Sequence, residues 1–229
     1  MQTSAMYLDD TYLFNSEGII IGGGIDDKGR YLLLTQTIFY PQGGGQPSDQ
    51  GLLTIQSSQK NILIYFVRQV TGEIRHYYNE ETEINWNNQL RCDLSIEPER
   101  RLLNARYHTA AHLLSNIIEC CYAQVQAVKG HSFPSEAYVE FKNNTKEMID
   151  LELIERKLDQ AISSDLRTKV FEDKELIGSK GLRRIQIGKY IEIPCGGTHV
   201  GSTREIVSIE LREIRSRGEV TKVSYVLVQ

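Results

Sequence analysis

The pattern of apolar residues changes near residue 97, and this change limits the folds open to the chain more than any other feature. Residues 98–122 carry apolar side chains at the helical period, as at Leu103, Ala110, Leu114 and Ile117. Before this segment, short β-rich runs alternate with turn-forming stretches, which predicts strands without a helix. We therefore predict two domains, residues 1–95 and residues 96–229.

The first domain is predicted to be a small β-barrel, because its strand-like runs are short and regularly spaced. The expected strands cover residues 19–25, 31–40, 51–55 and 62–70. A glycine-rich stretch, PQGGGQPSDQ, lies between the second and the third of them. Three consecutive glycines permit close approach of the backbone to a ligand, although a flexible hairpin loop has the same composition.

The second domain is predicted to be α+β. A second amphipathic helix is expected over residues 146–163. Strands are expected over residues 136–141, 185–193, 206–214 and 220–228, with the last two joined as a hairpin at RSRG.

Composition narrows the class of protein. No apolar run approaches the roughly 18 residues that a membrane-spanning helix needs, and the N-terminus has neither the basic nor the apolar region of a secretory signal. We therefore expect a cytoplasmic protein with no membrane partner. Its four cysteines are then expected to be thiols or metal ligands rather than disulfides. The net charge of −4 argues against a protein that coats nucleic acid non-specifically.

Two short motifs contain three of the five histidines and one cysteine. His108 and His112 lie four residues apart in HTAAH, so they share one face of the predicted helix. Cys195 and His199 bracket a Gly-Gly turn in CGGTH. Three imidazoles and a thiolate form a ligand set that zinc favours. The alternative is a core histidine on a packed helix and an unrelated turn.

The predicted helix with His108 and His112 lacks the glutamate of the HExxH metalloproteases, since Thr109, Ala110 and Ala111 lie between the two histidines. A general base for amide hydrolysis is therefore not evident. Any hydrolysis at this site is expected to need a more labile substrate, such as an activated ester.

Three motifs together resemble those of a known family. They are TIFYPQGGGQPSDQG at 37–51, RYHTAAHLL at 106–114 and CGGTHV at 195–200. The chain resembles the AlaX family of free-standing alanyl-tRNA trans-editing proteins, which are similar to the editing domain of alanyl-tRNA synthetase. The resemblance covers nearly the whole chain, and the glycine-rich loop is typical of the two-domain type. It implies that the second domain is an editing domain of the kind that threonyl- and alanyl-tRNA synthetases carry as a second additional domain.

The resemblance implies deacylation of mischarged tRNA(Ala), chiefly seryl-tRNA(Ala), with glycyl-tRNA(Ala) as a second candidate substrate. The implied cofactor is Zn²⁺, and the implied ligands are His108, His112, Cys195 and His199. The glycine-rich loop is implied to close over the aminoacyl end, through Gly43, Gly44, Gly45 and Gln46.

The remaining site predictions concern the seryl hydroxyl and the RNA. Thr37, Gln46 and Thr109 are the candidate catalytic residues that would contact the hydroxyl. Arg183 and Arg184 are the first candidates for binding the tRNA. Further basic candidates are Arg100, Arg101, Arg106, Lys189, Arg212, Arg215 and Arg217.

Three other functions remain open at the level of sequence: a structural-zinc RNA-binding module without catalysis, a hydrolase of peptides or small esters, and a threonyl-tRNA-type editing domain. The role of zinc is also open, because the ion can either activate a water molecule or orient the α-amino group of the substrate. The preference for serine or glycine and the oligomeric state are not determined by these patterns.

Overall fold

A computed structural model of the chain describes residues 3–79, 84, 89–145, 147–172 and 183–228. The chain divides into two compact units. The first contains Met1–Gly43 and Pro47–Leu102, and the second contains Gly44–Gln46 and Leu103–Gln229. The sequence-based domain boundary between residues 95 and 96 stays a prediction.

The first unit is built around a closed barrel of six strands. The unit as a whole has eight strands in its described part: β1 Ser4–Ala5, β2 Asn15–Asp26, β3 Gly29–Leu34, β4 Gln36–Thr37, β5 Gly51–Ile55, β6 Lys60–Val70, β7 Glu73–Tyr78 and β8 Leu90–Ile96. The barrel order is β2-β3-β7-β6-β5-β8, with antiparallel neighbours throughout. Its core includes the fully buried Ile20, Leu32, Leu53 and Ile62. The predicted small barrel is therefore confirmed.

Some strand predictions in this unit need correction. The strand expected over residues 31–40 ends at Leu34, and Gln36–Thr37 pairs separately with Ser4–Ala5. Strands β7 and β8 were not predicted. In β8 the buried residues Cys92, Leu94 and Ile96 alternate with exposed polar ones, which is the period-2 signal of a half-buried strand.

The second unit packs two helices against a four-stranded antiparallel sheet. Its elements are α1 Pro98–Cys121, which begins in the first unit, β9 Val125–His131, β10 Tyr138–Asn143, α2 Leu151–Ser163, β11 Thr168–Glu172, β12 Arg183–Ile187, β13 Ile193–Pro194, β14 Ser208–Arg217 and β15 Val220–Val228. The sheet order is β14-β15-β10-β9, and β11, β12 and β13 form a smaller sheet. The core includes Leu114, Ile118, Phe141, Leu158 and Val223. An α+β fold is thus observed.

Local chemistry explains where the elements of this unit depart from the prediction. Helix α2 begins at Leu151 because the Asp150 side chain accepts a hydrogen bond from the Leu153 N–H. The predicted start at residue 146 lies outside the described residues. The strand expected over 185–193 is interrupted after Ile187, where Gly188 adopts a φ of 54°. The hairpin at RSRG is confirmed as β14 and β15.

Neither helix in the described part of the chain combines the length and the apolar character needed to cross a membrane.

Candidate metal centre

Four predicted ligands of the second unit converge at one point. His108 and His112 lie one turn apart on α1, while Cys195 and His199 lie in the loop after β13. One donor atom from each of the four lies within 4.8 Å of every other. The rings of His108 and His112 are stacked, with centroids 5.0 Å apart. The structure therefore brings together the two motifs that the sequence predicted to meet.

The Cys195 sulfur lies close to all three imidazoles of this cluster. The Cys195 Sγ lies 3.2 Å from His108 Nε2, 3.3 Å from His112 Nε2 and 3.2 Å from His199 Nε2. Zinc bonds of about 2.3 Å to sulfur and about 2.0 Å to nitrogen place tetrahedral S and N ligands about 3.5 Å apart. The three sulfur–nitrogen distances are therefore compatible with ligands that share one metal ion.

Gln46 determines which nitrogen of His108 faces the cluster. Gln46 Oε1 accepts a hydrogen bond from the Thr198 N–H at 3.1 Å and lies 2.8 Å from His108 Nδ1. Gln46 Nε2 donates to Thr198 Oγ1 at 2.8 Å, which fixes the orientation of the amide. His108 Nδ1 therefore carries the proton, and its Nε2 presents a lone pair to Cys195.

Thr109 has the same effect on His199. The Thr109 hydroxyl donates to the Ala105 carbonyl at 2.8 Å, so its oxygen accepts from His199 Nδ1 at 3.3 Å. It also accepts from the Val200 N–H at 3.2 Å. His199 Nε2 is therefore unprotonated, and its lone pair faces Cys195.

These contacts leave the centre with more acceptors than donors. At least two imidazole lone pairs point at one sulfur, and a thiol has a single proton to give. Burial lowers the pKa of His108 and His199 well below the ordinary value, with further lowering from neighbouring histidines and Arg183. Burial lowers the pKa of His112 to about 4. Three neutral imidazoles around a half-buried sulfur are an arrangement that a cation stabilises.

Burial also opposes ionisation of the Cys195 sulfur. Burial raises the pKa of the Cys195 thiol, while the Gly197 N–H and the Arg183 guanidinium act in the opposite direction. The Gly197 N–H donates to Sγ at 3.4 Å. A bound divalent ion would favour the thiolate outright, as coordinating thiols are deprotonated.

The CGGTH loop is held by Arg183, which was predicted to bind tRNA. Its guanidinium donates to the carbonyl oxygens of Cys195 and Gly197, each at 2.8 Å. Gly197 lies so close to His108 that a Cβ there would be 2.3 Å from Cε1 of the ring. The sequence analysis did not single out Thr198, whose contact with Gln46 spans 152 residues, a separation that local patterns do not reveal.

The glycine-rich loop contributes to both units. In the first, the Gly43 carbonyl accepts from the Tyr40 hydroxyl at 2.9 Å. In the second, Gly44 and Gly45 adopt φ angles of 55° and 78°, and Gln46 is fully buried. A Cβ on Gly45 would lie 2.2 Å from the Gly130 carbonyl oxygen, so this close approach requires glycine.

Thr37 is a fully buried residue of the barrel unit. Its Oγ1 lies 2.8 Å from His76 Nε2 and accepts from the Phe39 N–H at 3.0 Å. His76 Nδ1 faces the Leu32 carbonyl at 3.2 Å and therefore carries the ring proton. Burial lowers the pKa of His76 to about 4, so the ring is neutral near pH 7 and accepts the Thr37 hydroxyl proton.

The remaining predicted RNA-binding residues have diverse surroundings. Arg184 pairs with Glu192 at 3.3 Å. Lys189 lines a cavity of about 420 Å³ together with Lys157 and Tyr190. Arg101 is fully buried in the first unit and ion-paired with Asp49, so its suggested place at the tRNA surface is corrected. A charged side chain in the first turn of a helix usually faces solvent, and the prediction for Arg101 was wrong because it assumed this exposure.

Fold and site together define a class of protein: an α+β chain with a partly buried cluster of three histidines and one cysteine. Models of known protein families give no match to the chain. Individual curated proteins do match it. The alanyl-tRNA editing protein AlaX-M of Methanosarcina barkeri is 30% identical over 97% of this chain and 98% of its own length. AlaX-M of Saccharolobus solfataricus is 28% identical over 99% of both chains.

A longer relative matches as well. The alanyl-tRNA editing protein AlaX-L of Pyrococcus horikoshii is 30% identical over 90% of this chain. The match covers 53% of the length of that relative. The chain belongs to the AlaX family of alanyl-tRNA editing proteins.

Proposed function

We propose that this protein is a zinc-dependent hydrolase that deacylates tRNA(Ala) mischarged with serine, and with glycine as a second substrate. The observation that carries the proposal is the convergence of four donor atoms within 4.8 Å in a chain that matches AlaX-M relatives along nearly its whole length. The substrate class comes from the names of those relatives.

Editing of this kind has a physical rationale. A synthetic site fitted to alanine discriminates poorly against serine, which only adds a hydroxyl, and against glycine, which lacks one methyl group. A second site that hydrogen-bonds the seryl hydroxyl rejects alanine, because alanine leaves a buried polar group without its partner. The aminoacyl ester is more labile than an amide, which is consistent with the missing HExxH glutamate.

His108, His112, Cys195 and His199 would hold the ion. When bound, zinc supplies a Lewis acid that polarises a carbonyl group or activates water. Gln46 and Thr109 hold protons at His108 Nδ1 and His199 Nδ1, which leaves both Nε2 atoms unprotonated. We infer that Gln46 and Thr109 act by this positioning, because their side-chain contacts are with the protein itself.

The first test is deacylation of seryl-, glycyl- and alanyl-tRNA(Ala) by the purified protein and by a His108→Ala variant. We expect rapid hydrolysis of seryl-tRNA(Ala), sparing of alanyl-tRNA(Ala), and a fall in kcat/KM of at least about 100-fold in the variant, because a lost ligand costs more than a lost outer partner. Removal of metal by a chelator should abolish hydrolysis, and added zinc should restore it.

The same experiment tests the main alternative, a structural zinc module that binds RNA without catalysis. Four protein ligands are typical of a closed structural site, which is the observation in its favour. Folded, zinc-loaded protein that hydrolyses none of the three substrates would reject the editing proposal in favour of this module.

We also propose that Thr37 recognises the seryl hydroxyl. Its own proton is donated to His76 and one lone pair is used by Phe39, so a remaining lone pair of Oγ1 is available to accept from serine. Thr37→Val should therefore lower the ratio of seryl to alanyl hydrolysis by about tenfold, the value of one hydrogen bond of about 1.4 kcal/mol.

Thr37→Ser keeps the hydroxyl and serves as the control for this position. It is expected to retain most of the selectivity, with both variants checked for folding by circular dichroism. An unchanged selectivity ratio in a folded Thr37→Val protein would exclude Thr37 from seryl recognition.

A further inference from the structure

Three rings form a row at the edge of the four-stranded sheet. His131, at the end of β9, stacks on Phe133 with ring centroids 4.3 Å apart and planes 4° apart. The same ring stacks on Tyr138 of β10 at 5.0 Å and 27°. The Lys222 Nζ lies 3.6 Å from the centroid of Tyr138. We call Phe133, His131 and Tyr138 the ring row.

The ring row does not belong to the hydrophobic core. Its three side chains are partly exposed, and the His131 side chain retains 22% of its accessible surface. Along β10, Val139 and Phe141 are buried against the helices, so Tyr138 lies on the opposite face of the sheet. Core packing therefore does not account for three stacked rings at this place.

Charged groups surround the row. Lys129 also lies over Tyr138, at 5.5 Å from its centroid, and pairs with Glu140 at 3.9 Å. His131 Nε2 lies 3.2 Å from a carboxylate oxygen of Glu136. Two ammonium groups near a stack of partly exposed rings combine the features that bind the base and the phosphate of a single-stranded nucleotide.

A backbone hydrogen bond links the segment that carries the row to the glycine-rich loop. Ser132, between His131 and Phe133, donates its backbone N–H to the Gly45 carbonyl at 2.7 Å. The next residue in the chain, Gln46, lies 2.8 Å from His108 Nδ1. The backbone between His131 and Phe133 therefore contacts the loop whose Gln46 orients His108.

We propose that the ring row and Lys222 bind an unpaired nucleotide of the 3′ end of the tRNA, with the base stacked on the row and the phosphate near the ammonium group. The proposal rests on the proposed function, since an aminoacyl ester on the 3′ ribose presents single-stranded nucleotides beside the scissile bond. Stacking is sequence-tolerant because every base has a π face. It would hold the 3′ end in place without reading the amino acid.

The test uses His131→Ala and Phe133→Ala in the full chain, with Tyr12→Ala as a control that removes an exposed ring of the barrel unit. The direct readout is the fluorescence of an uncharged RNA minihelix that carries 2-aminopurine in place of its 3′-terminal adenine. Wild type and Tyr12→Ala should quench this probe by stacking, and both row variants should lose the quenching. His131→Phe keeps a stacking ring and should retain it.

The kinetic readout is deacylation of seryl-tRNA(Ala) by the same proteins. The row variants should raise KM about tenfold with kcat within a factor of about three, because stacking binds ground and transition states alike. A zinc content equal to that of the wild type would show that the centre is intact.

The two proposals fail in different ways. Quenching by the wild type without hydrolysis of any substrate would reject the editing function and leave the nucleotide site standing. Hydrolysis by the wild type with undiminished quenching in both row variants, or with no quenching by the wild type, would overturn the nucleotide site alone.

Discussion

Gly197→Ala is expected to abolish zinc binding and deacylation, whereas Gly196→Ala leaves both close to wild type. A Cβ on Gly197 would lie 2.3 Å from His108 Cε1, 2.6 Å from its Nδ1 and 3.0 Å from Gln46 Oε1. No relaxed structure tolerates the first two distances, so the imidazole must turn. It would then lose Gln46 and carry its Nε2 away from Cys195.

Gly196 is a closely matched control. It precedes Gly197 in the same loop, and a Cβ there would meet no atom within 4 Å. Neither glycine has a positive φ, so backbone strain does not separate the two variants. The two substitutions differ in what the added methyl group touches.

We expect zinc content to fall in Gly197→Ala and kcat/KM for seryl-tRNA(Ala) to drop by about 100-fold or more, as when a histidine ligand loses its orientation. Bound metal measured by mass spectrometry, together with initial rates, checks this expectation. Full zinc occupancy and wild-type rates in Gly197→Ala would mean that the described contact between the loop and His108 is incorrect.

Asp49→Ala is expected to cause the largest loss of stability. Arg101 and Asp49 form an ion pair in the first unit, with side-chain exposures of 0% and 1%. Arg101 Nε donates to both carboxylate oxygens, at 3.1 and 3.0 Å, and its other nitrogens donate to the carbonyls of Thr11 and Ile38. The carboxylate also accepts from the Tyr40 N–H at 2.7 Å.

Removing the carboxylate leaves a buried guanidinium without a counter-charge. Such a change costs about 3–5 kcal/mol, a large part of the stability of an ordinary domain. The exposed pair Arg215–Glu213 offers the control, since its side chains are 75% and 49% exposed. Glu213→Ala should change the free energy of unfolding by less than about 0.5 kcal/mol.

Urea unfolding followed by circular dichroism measures both variants. A change below about 1 kcal/mol in Asp49→Ala would contradict a buried, fully engaged ion pair. Equal effects of Asp49→Ala and Glu213→Ala would contradict it as well.

Much of the secondary structure could be predicted because it depends on short-range patterns. The helical period of residues 98–122 matches Pro98–Cys121 closely, and the predicted strands 51–55 and 220–228 match Gly51–Ile55 and Val220–Val228. The prediction missed Thr168–Glu172, whose partner in the sheet is a distant segment of the chain. Strand pairing of this kind is decided by tertiary context rather than local propensity.

The candidate metal centre was predictable for a similar reason. A separation of four residues places His108 and His112 on one helical face in any α-helix. Cys195 and His199 are as close in the chain, so each pair of candidate ligands is a local motif. Their meeting required only that the loop return to the helix.

The contacts that Gln46 and Thr109 make with those candidate ligands could not be predicted. The sequence analysis assigned Gln46 and Thr109 to the substrate, but the structure places them on His108 and His199 through contacts that span 62 and 90 residues. The prediction for Arg101 failed for the same reason, because its partner Asp49 lies 52 residues away. Hydrogen bonds and ion pairs between distant segments have no local period that a sequence could display.

The sequence by itself determined the barrel and α+β elements, the four candidate ligands and the family. These follow from periodicity and from motifs that act over a few residues. Only the tertiary structure decided which nitrogen of His108 faces Cys195, why residue 197 is glycine, and that His131 stacks on both Phe133 and Tyr138. Those features depend on which distant side chains are packed against one another, and packing is settled by the whole chain at once.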